Sequence, residues 1–212
     1  KKIKLKNTIL PILALLIFLK HMSDNESILD LFRRLGALQE GHFLLSSGLH
    51  SSGYLQSALV LQHSNEAEAL GTSIAEKVKV LSPQVVLSPA LGGIIIGHEV
   101  GRALGIRTVF AERQNGALVL RRGFHLSVGE AVVVVEDVIT TGGSTRETIE
   151  LAQAAGANVI GAAAIINRSS SDLNLGVPFS ALGVVSLPTY QPNICPQCIA
   201  GTPAVKPGSR QS

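Results

Sequence analysis

From residue 66 to residue 186, short aliphatic and β-branched runs alternate with stretches of helical periodicity, and this rhythm restricts the fold more than any other feature. Helical spacing covers 66–80, 93–104 and 144–155, and strands are expected at 85–87, 108–112, 131–135, 158–166 and 181–186. The run AVVVV at 131–135 has no polar position, as befits a strand buried on both faces. Such alternation predicts an α/β fold, a parallel sheet with helices on both faces. A hydrophobic share of 46% against 16% charged residues excludes a disordered chain. With 4% aromatics and no Trp, the core must be built from Val, Ile, Leu and Ala. A length of 212 residues allows one large domain or two small ones. One segment breaks the rhythm: LVLRRGFHL, within 118–128 and flanked by Asn115-Gly116 and Val128-Gly129, predicts a protruding hairpin. The Pro- and Gly-rich residues after Pro188 are expected to wrap the surface.

The formal charge of +3 and pI near 9.0 invite an anionic partner, but their distribution argues otherwise. Residues 1–21 hold Lys1, Lys2, Lys4, Lys6 and Lys20 and no acid, so residues 22–212 carry 13 basic and 15 acidic side chains, a balance of −2. A nucleic-acid-binding face therefore loses its main support. The apolar stretch from Ile9 to Leu19 is interrupted by Pro11 and falls short of the roughly 20 residues that span a bilayer. No membrane association is expected, and residues 1–21 read as a leader or non-native extension ahead of Met22. A Ser23-x-x-Glu26 capping box then opens an amphipathic helix expected to run through Leu38.

The chemistry concentrates at 132–144. An apolar strand ends in Glu136 and Asp137, and the turn Thr140-Thr141-Gly142-Gly143-Ser144 feeds a helix. Such a turn directs backbone N–H groups and hydroxyls at one point, with the positive helix end behind it, which makes a phosphate cradle. Two carboxylates at the strand's C-terminal edge can accept hydrogen bonds from vicinal hydroxyls, so phosphate and acids together fit a sugar phosphate. A plain strand-turn-helix connection explains a capping hydroxyl or two but not two acids ending an apolar strand. No lysine occurs between Lys79 and Lys206, which excludes a P-loop there, and no G-x-G-x-x-G follows a strand.

This segment resembles the phosphoribosyl-diphosphate signature of the purine and pyrimidine phosphoribosyltransferases. The wider chain is similar to the orotate branch of that family, through GHFLLSSGLHSSGYLQ (41–56), LSPALGGIIIGHEVGRALG (87–105), FAERQNGALVLRRGF (110–124) and LPTYQPNICPQC (187–198). The resemblance implies a single phosphoribosyltransferase domain over 22–212, with a small N-terminal hood on the parallel sheet. It implies transfer of a phosphoribosyl group from phosphoribosyl diphosphate to orotate in pyrimidine biosynthesis, in the cytoplasm. Mg²⁺ would enter with phosphoribosyl diphosphate. By the same resemblance Glu136 and Asp137 hold the ribose hydroxyls, and Val138, Ile139, Thr140, Thr141, Gly142, Gly143 and Ser144 complete the phosphoribosyl diphosphate site. Thr140 and Arg168 would contact orotate, and Ala90, Leu91 and Gly92 form the pyrophosphate loop. Residues 112–124 match a mobile catalytic loop that covers the neighbouring site of a homodimer. Its candidates are Arg113, grouped with the acid pair as catalytic, then Arg121 and Arg122, with His125 just beyond. The sequence departs from the family at two places where lysine is common, Gly92 and Ser46.

Two other functions stay open on the residues: the same chemistry on another base, such as adenine or xanthine, or a phosphoribosyl-diphosphate-sensing regulator. Cys195 and Cys198 form a single C-x-x-C. Zinc needs four ligands, so only a dimer-shared or histidine-completed site would serve, and no metal is expected there.

Overall fold

The computed structural model describes residues 28–45, 47–169 and 173–207. The 1–21 extension, Met22, the expected capping box, Ser46 and Arg210 lie outside the described residues.

Six strands form the main sheet, in the order β5-β4-β3-β6-β7-β8. They are β3 (Val85–Pro89), β4 (Arg107–Gln114), β5 (Ala117–Leu120), β6 (Ala131–Ile139), β7 (Asn158–Asn167) and β8 (Phe179–Val184). All neighbours are parallel except β4 and β5. One face carries α3 (Ser64–Val78) and α4 (Gly93–Leu104), packed on Val86, Val133, Val135 and Ile165. The other carries α5 (Gly143–Ala154), packed on Val85, Leu87, Val132 and Val134. Successive valines of β6 thus enter opposite cores, which is why the run at 131–135 has no polar position. From β3 the chain moves outward to β4, and from β6 it moves the other way to β7 and β8. The direction switches between β3 and β6, the place where open α/β sheets form a ligand crevice.

A second sheet, the hood, has the order β1-β2-β9 and joins the two ends of the described chain: β1 (Leu38–Leu44), β2 (His50–Leu55) and β9 (Thr189–Tyr190). Beneath it lie helical residues 28–34, here α1, and the short α2 (Ala58–Leu61).

Three sequence expectations need correction. The first helix stops at residue 34, not at Leu38, because Gly36 turns left-handed at φ +65° and Ala37 N–H closes onto Phe32 O at 2.7 Å. The 118–128 segment does not protrude. Its hairpin is β4–β5, turning at Asn115 and Gly116, both at positive φ, and β5 is an edge strand of the main sheet. Leu118 and Leu126 belong to the α5-side core. The tail beyond Pro188 is not a simple surface wrap, since it supplies β9, a 3₁₀ turn and α6 (Pro196–Ile199).

Candidate active site

β6 continues four residues beyond its valine run, so Glu136 and Asp137 sit within the strand and Glu136 pairs with Ala164 of β7. Glu136 is 7% exposed. Its Oε1 accepts from the Asp137 N–H at 3.3 Å. Burial first, then the adjacent Asp137 charge, hold its carboxyl well above the usual carboxylate range. Asp137 is half-buried and leans over the α4 N-terminus. A Cβ on Gly92 would lie 2.7 Å from both Asp137 carboxylate oxygens, and one on Gly93 would lie 3.3 Å from Glu136 Oε1. With no side chain at Gly92, the Asp137 carboxylate can rest against the start of α4; a Cβ there would make it shift.

The phosphate turn follows directly. Gly142 adopts φ +76° at the head of α5, and a Cβ there would meet Leu173 Cδ1 at 2.8 Å. Arg146, in the first turn of α5, donates to Thr141 O and, at 3.3 Å, to Asn174 O. It clamps the turn from outside, a positioning role the sequence reading missed. A pocket of about 570 Å³ opens over the turn, within the range of small-molecule sites. Glu136, Asp137, Val138, Ile139, Thr140, Thr141, Gly142, Gly143 and Ser144 all line it. Ile139 is 1% exposed and its side chain packs into the α5-side core.

Arg168, just past β7, lines the same pocket and is 7% exposed. Its backbone N–H donates to Ile139 O at 2.7 Å. Its Nη2 donates to Ser51 Oγ at 2.6 Å and to Gly53 O at 3.2 Å, both on β2. Its Nε is buried with no hydrogen-bond partner, and no carboxylate of the described residues forms an ion pair with it. Burial lowers its proton affinity, but a guanidinium stays charged. Tyr54 of β2 also lines the pocket; burial, then the Asp137 charge, push its hydroxyl above the usual tyrosine value. From the far end of the chain Lys206 and Pro207 line the wall, brought there by Leu44 N–H to Val205 O at 2.9 Å and Val205 N–H to His42 O at 2.8 Å. Lys206 stands in a featureless tail, and only its contact with β1 reveals its place.

The loop arginines are not in this pocket. Arg113 pairs with Glu147 of α5 at 2.8 Å, and Arg122 pairs with Glu112 at 2.7 Å. Arg121 and His125 are exposed. Ala90, Leu91 and Gly92 lie at the β3–α4 junction beside Asp137 rather than among the pocket-lining residues. The Cys195–Cys198 pair, which the sequence leaves without further ligands, meets His42 and His50 within its own chain.

The phosphoribosyl transferase domain family matches residues 58–175, a span that holds the acid pair, the turn, the β3–α4 loop and Arg168. Over 188 residues the chain is 47% identical to the orotate phosphoribosyltransferase of Caldanaerobacter subterraneus subsp. tengcongensis, covering 89% of this chain and 99% of that one. The chain belongs to the orotate phosphoribosyltransferase family. The family enzyme from Rhizorhabdus wittichii is 52% identical over 193 residues, covering 89% and 97% of the two chains. In fold, the orotate phosphoribosyltransferase from Aeropyrum pernix superposes with a TM-score of 0.63 at 23% identity, covering 74% of this chain and 92% of that one. The Mycobacterium tuberculosis orotate phosphoribosyltransferase in complex with 5-phospho-alpha-D-ribosyl 1-diphosphate gives 0.58 at 21% identity, covering 76% and 96%.

The buried acid makes a stability prediction. Folded Glu136 binds its proton more tightly than unfolded Glu136, whose ordinary value is 4.5. The folded state then binds more protons than the unfolded one above that pH, so stability falls as pH rises from about 4.5 toward the raised folded value. Glu136→Gln should remove this slope. In thermal melts of the substrate-free protein, the variant should gain on the parent as pH rises; a gap that stays constant would place the carboxylate in a solvated environment.

Proposed function

We propose that this chain transfers the 5-phosphoribosyl group from phosphoribosyl diphosphate to orotate, giving orotidine 5′-phosphate and pyrophosphate, in pyrimidine biosynthesis. The observation that carries the reading is the buried Arg168, which no carboxylate of the described residues pairs with, facing the same pocket as the acid pair and the phosphate turn. A desolvated cation with an unused donor calls for an anionic partner, which the orotate carboxylate provides.

In this reading the backbone amides and hydroxyls of 140–144 hold the 5′-phosphate against the α5 N-terminus. Glu136 and Asp137 accept hydrogen bonds from the ribose hydroxyls, and Asp137 places negative charge beside the oxocarbenium-like carbon as the bond to pyrophosphate breaks. A pyrimidine ring nitrogen attacks from the Arg168 side, and no enzyme nucleophile is needed. Thr140 adds a hydroxyl near the base. The Asp137 carboxylate oxygens beside Gly92 suit a hard cation, so Asp137 would help hold a Mg²⁺ ion brought in with phosphoribosyl diphosphate, and the ion would supply charge neutralisation to the leaving group. Among the described residues no helix is long and apolar enough to cross a membrane.

Consumption of orotate with phosphoribosyl diphosphate and Mg²⁺, set against a panel of other bases, tests the assignment. Turnover of adenine or xanthine in preference to orotate would overturn it.

The loop arginines find their place in a homodimer. Arg113, Arg121 and Arg122 lie outside their own chain's pocket, on the β4–β5 hairpin and the turn after it, and in this reading they serve the site of a neighbouring chain. Mixing an inactive triple alanine variant of these arginines with an inactive Asp137→Asn variant should then restore partial activity, because heterodimers hold one intact site. No recovery after verified subunit exchange would confine each site to one chain.

A further inference from the structure

Away from the substrate pocket, four side chains converge between the hood and the tail. His42 and His50 lie on one face of the β1–β2 pair, where Leu44 is register partner to His50 and a bulge between Glu40 and Phe43 re-aims His42. Cys195 precedes α6 and Cys198 lies within it. One ligand atom from each of the four falls within 4.8 Å of all the others. His42 Nε2 is 2.8 Å from His50 Nδ1, 3.4 Å from Cys195 Sγ and 3.7 Å from Cys198 Sγ, and Cys198 Sγ is 3.2 Å from His50 Nδ1. A tetrahedral ion with bonds of about 2.0–2.3 Å would set its ligand atoms roughly 3.3–3.8 Å apart, close to this spacing.

Protonation sharpens the point. His42 Nδ1 lies 2.7 Å from Thr202 O. A carbonyl oxygen only accepts, so Nδ1 carries the hydrogen, and the single lone pair of neutral His42 sits on Nε2. That lone pair faces three polar groups at once, in a site where His42 is 4% exposed and Cys195 fully buried. One acceptor cannot satisfy three donors, whereas one cation satisfies all four ligands. A histidine whose far nitrogen donates to a backbone carbonyl is also how metal-bound imidazoles are oriented. Both cysteines are free thiols.

We propose that His42, His50, Cys195 and Cys198 bind one Zn²⁺ in a closed, four-ligand structural site. Two imidazoles and two thiolates in a tetrahedral arrangement favour zinc over oxygen-seeking cations, and four protein ligands leave no position for catalysis. Binding displaces the two thiol protons to solvent. The ion would fasten the tail to the first strands of the hood. It would also brace the pocket, because His50 adjoins Ser51, the residue that receives Arg168 Nη2 and pairs with Thr189 of β9.

The test begins with elemental analysis of the full-length, untagged protein purified without chelator, with about one zinc per chain expected. After removal of the metal, Zn²⁺ alone should restore the melting temperature, and Co²⁺ alone should give the visible absorption and thiolate charge-transfer bands of a tetrahedral centre. Cys198→Ser should lose zinc and melt at lower temperature while its secondary structure persists. Zinc far below one per chain with no stoichiometric uptake of either ion would overturn the proposal. So would a Cys195–Cys198 disulfide in the protein as purified under reducing conditions, or full zinc retention in folded Cys198→Ser. None of these readouts involves orotate, so they stand or fall apart from the catalytic assignment.

Discussion

Replacing Arg168 with alanine should raise the KM for orotate far more than the KM for phosphoribosyl diphosphate. The guanidinium is held from behind by Ser51 and Gly53, and its Nε has no partner among the described residues. A hydrogen bond to a charged group contributes about 1.5–3 kcal/mol, so kcat/KM for orotate should fall roughly ten- to a hundredfold. In the proposed reading the phosphates are held by a different element, the turn that opens α5, and their binding should be affected little. Uracil, which lacks the carboxylate, is the control: the parent should discriminate strongly against it and the variant less so. Equal weakening of both substrates, or an unchanged preference over uracil, would mean that other groups read the base.

The second large effect is expected at Asp137. Asparagine keeps the shape of the side chain against Gly92 and removes its charge, so Asp137→Asn should fold normally and turn over at least about tenfold more slowly, equivalent to roughly 1.4 kcal/mol of transition-state stabilisation. The same change removes a negative charge that, after burial, helps raise the Glu136 carboxyl above its usual range. A folded variant with undiminished turnover would remove the acid pair from ribose binding.

The layered sheet was legible because its signals are local. Valine at all five positions of 132–138 other than the two acids could only be a doubly buried strand, and Gly93–Leu104 begins and ends where its glycines stand. The candidate site was legible in part for the same reason, since the acids close the valine run of β6 and the turn leads straight into α5, whereas Arg168 came into view only through the family resemblance. What escaped depends on pairings distant in sequence. The hood needs β2 to meet β9 across more than a hundred residues, and no periodicity announces a two-residue strand such as Thr189–Tyr190. The histidine partners of Cys195 lie 153 and 145 positions upstream, so the pair looks incomplete in one dimension. Lys206 is hidden likewise. The hairpin was misjudged because its alternation describes an edge strand as well as a free arm, and only packing of Leu118 and Leu126 decides between them.

That the pocket has one wall from each end of the chain bears on how the protein comes into being. Leu44, Leu45 and Leu49 leave the ribosome before the main sheet, whereas Lys206 and Pro207 leave it after all six of that sheet's strands. The parallel sheet and the phosphate turn are encoded between these points and can form while synthesis continues, but β9 cannot join β2 until the tail has been made. During that interval β2 presents an unpaired edge, and the pocket lacks its last wall. Closure by such distant pairing is intrinsically slow, so completion of the binding site waits on synthesis of the segment around 189–207 rather than on formation of the core.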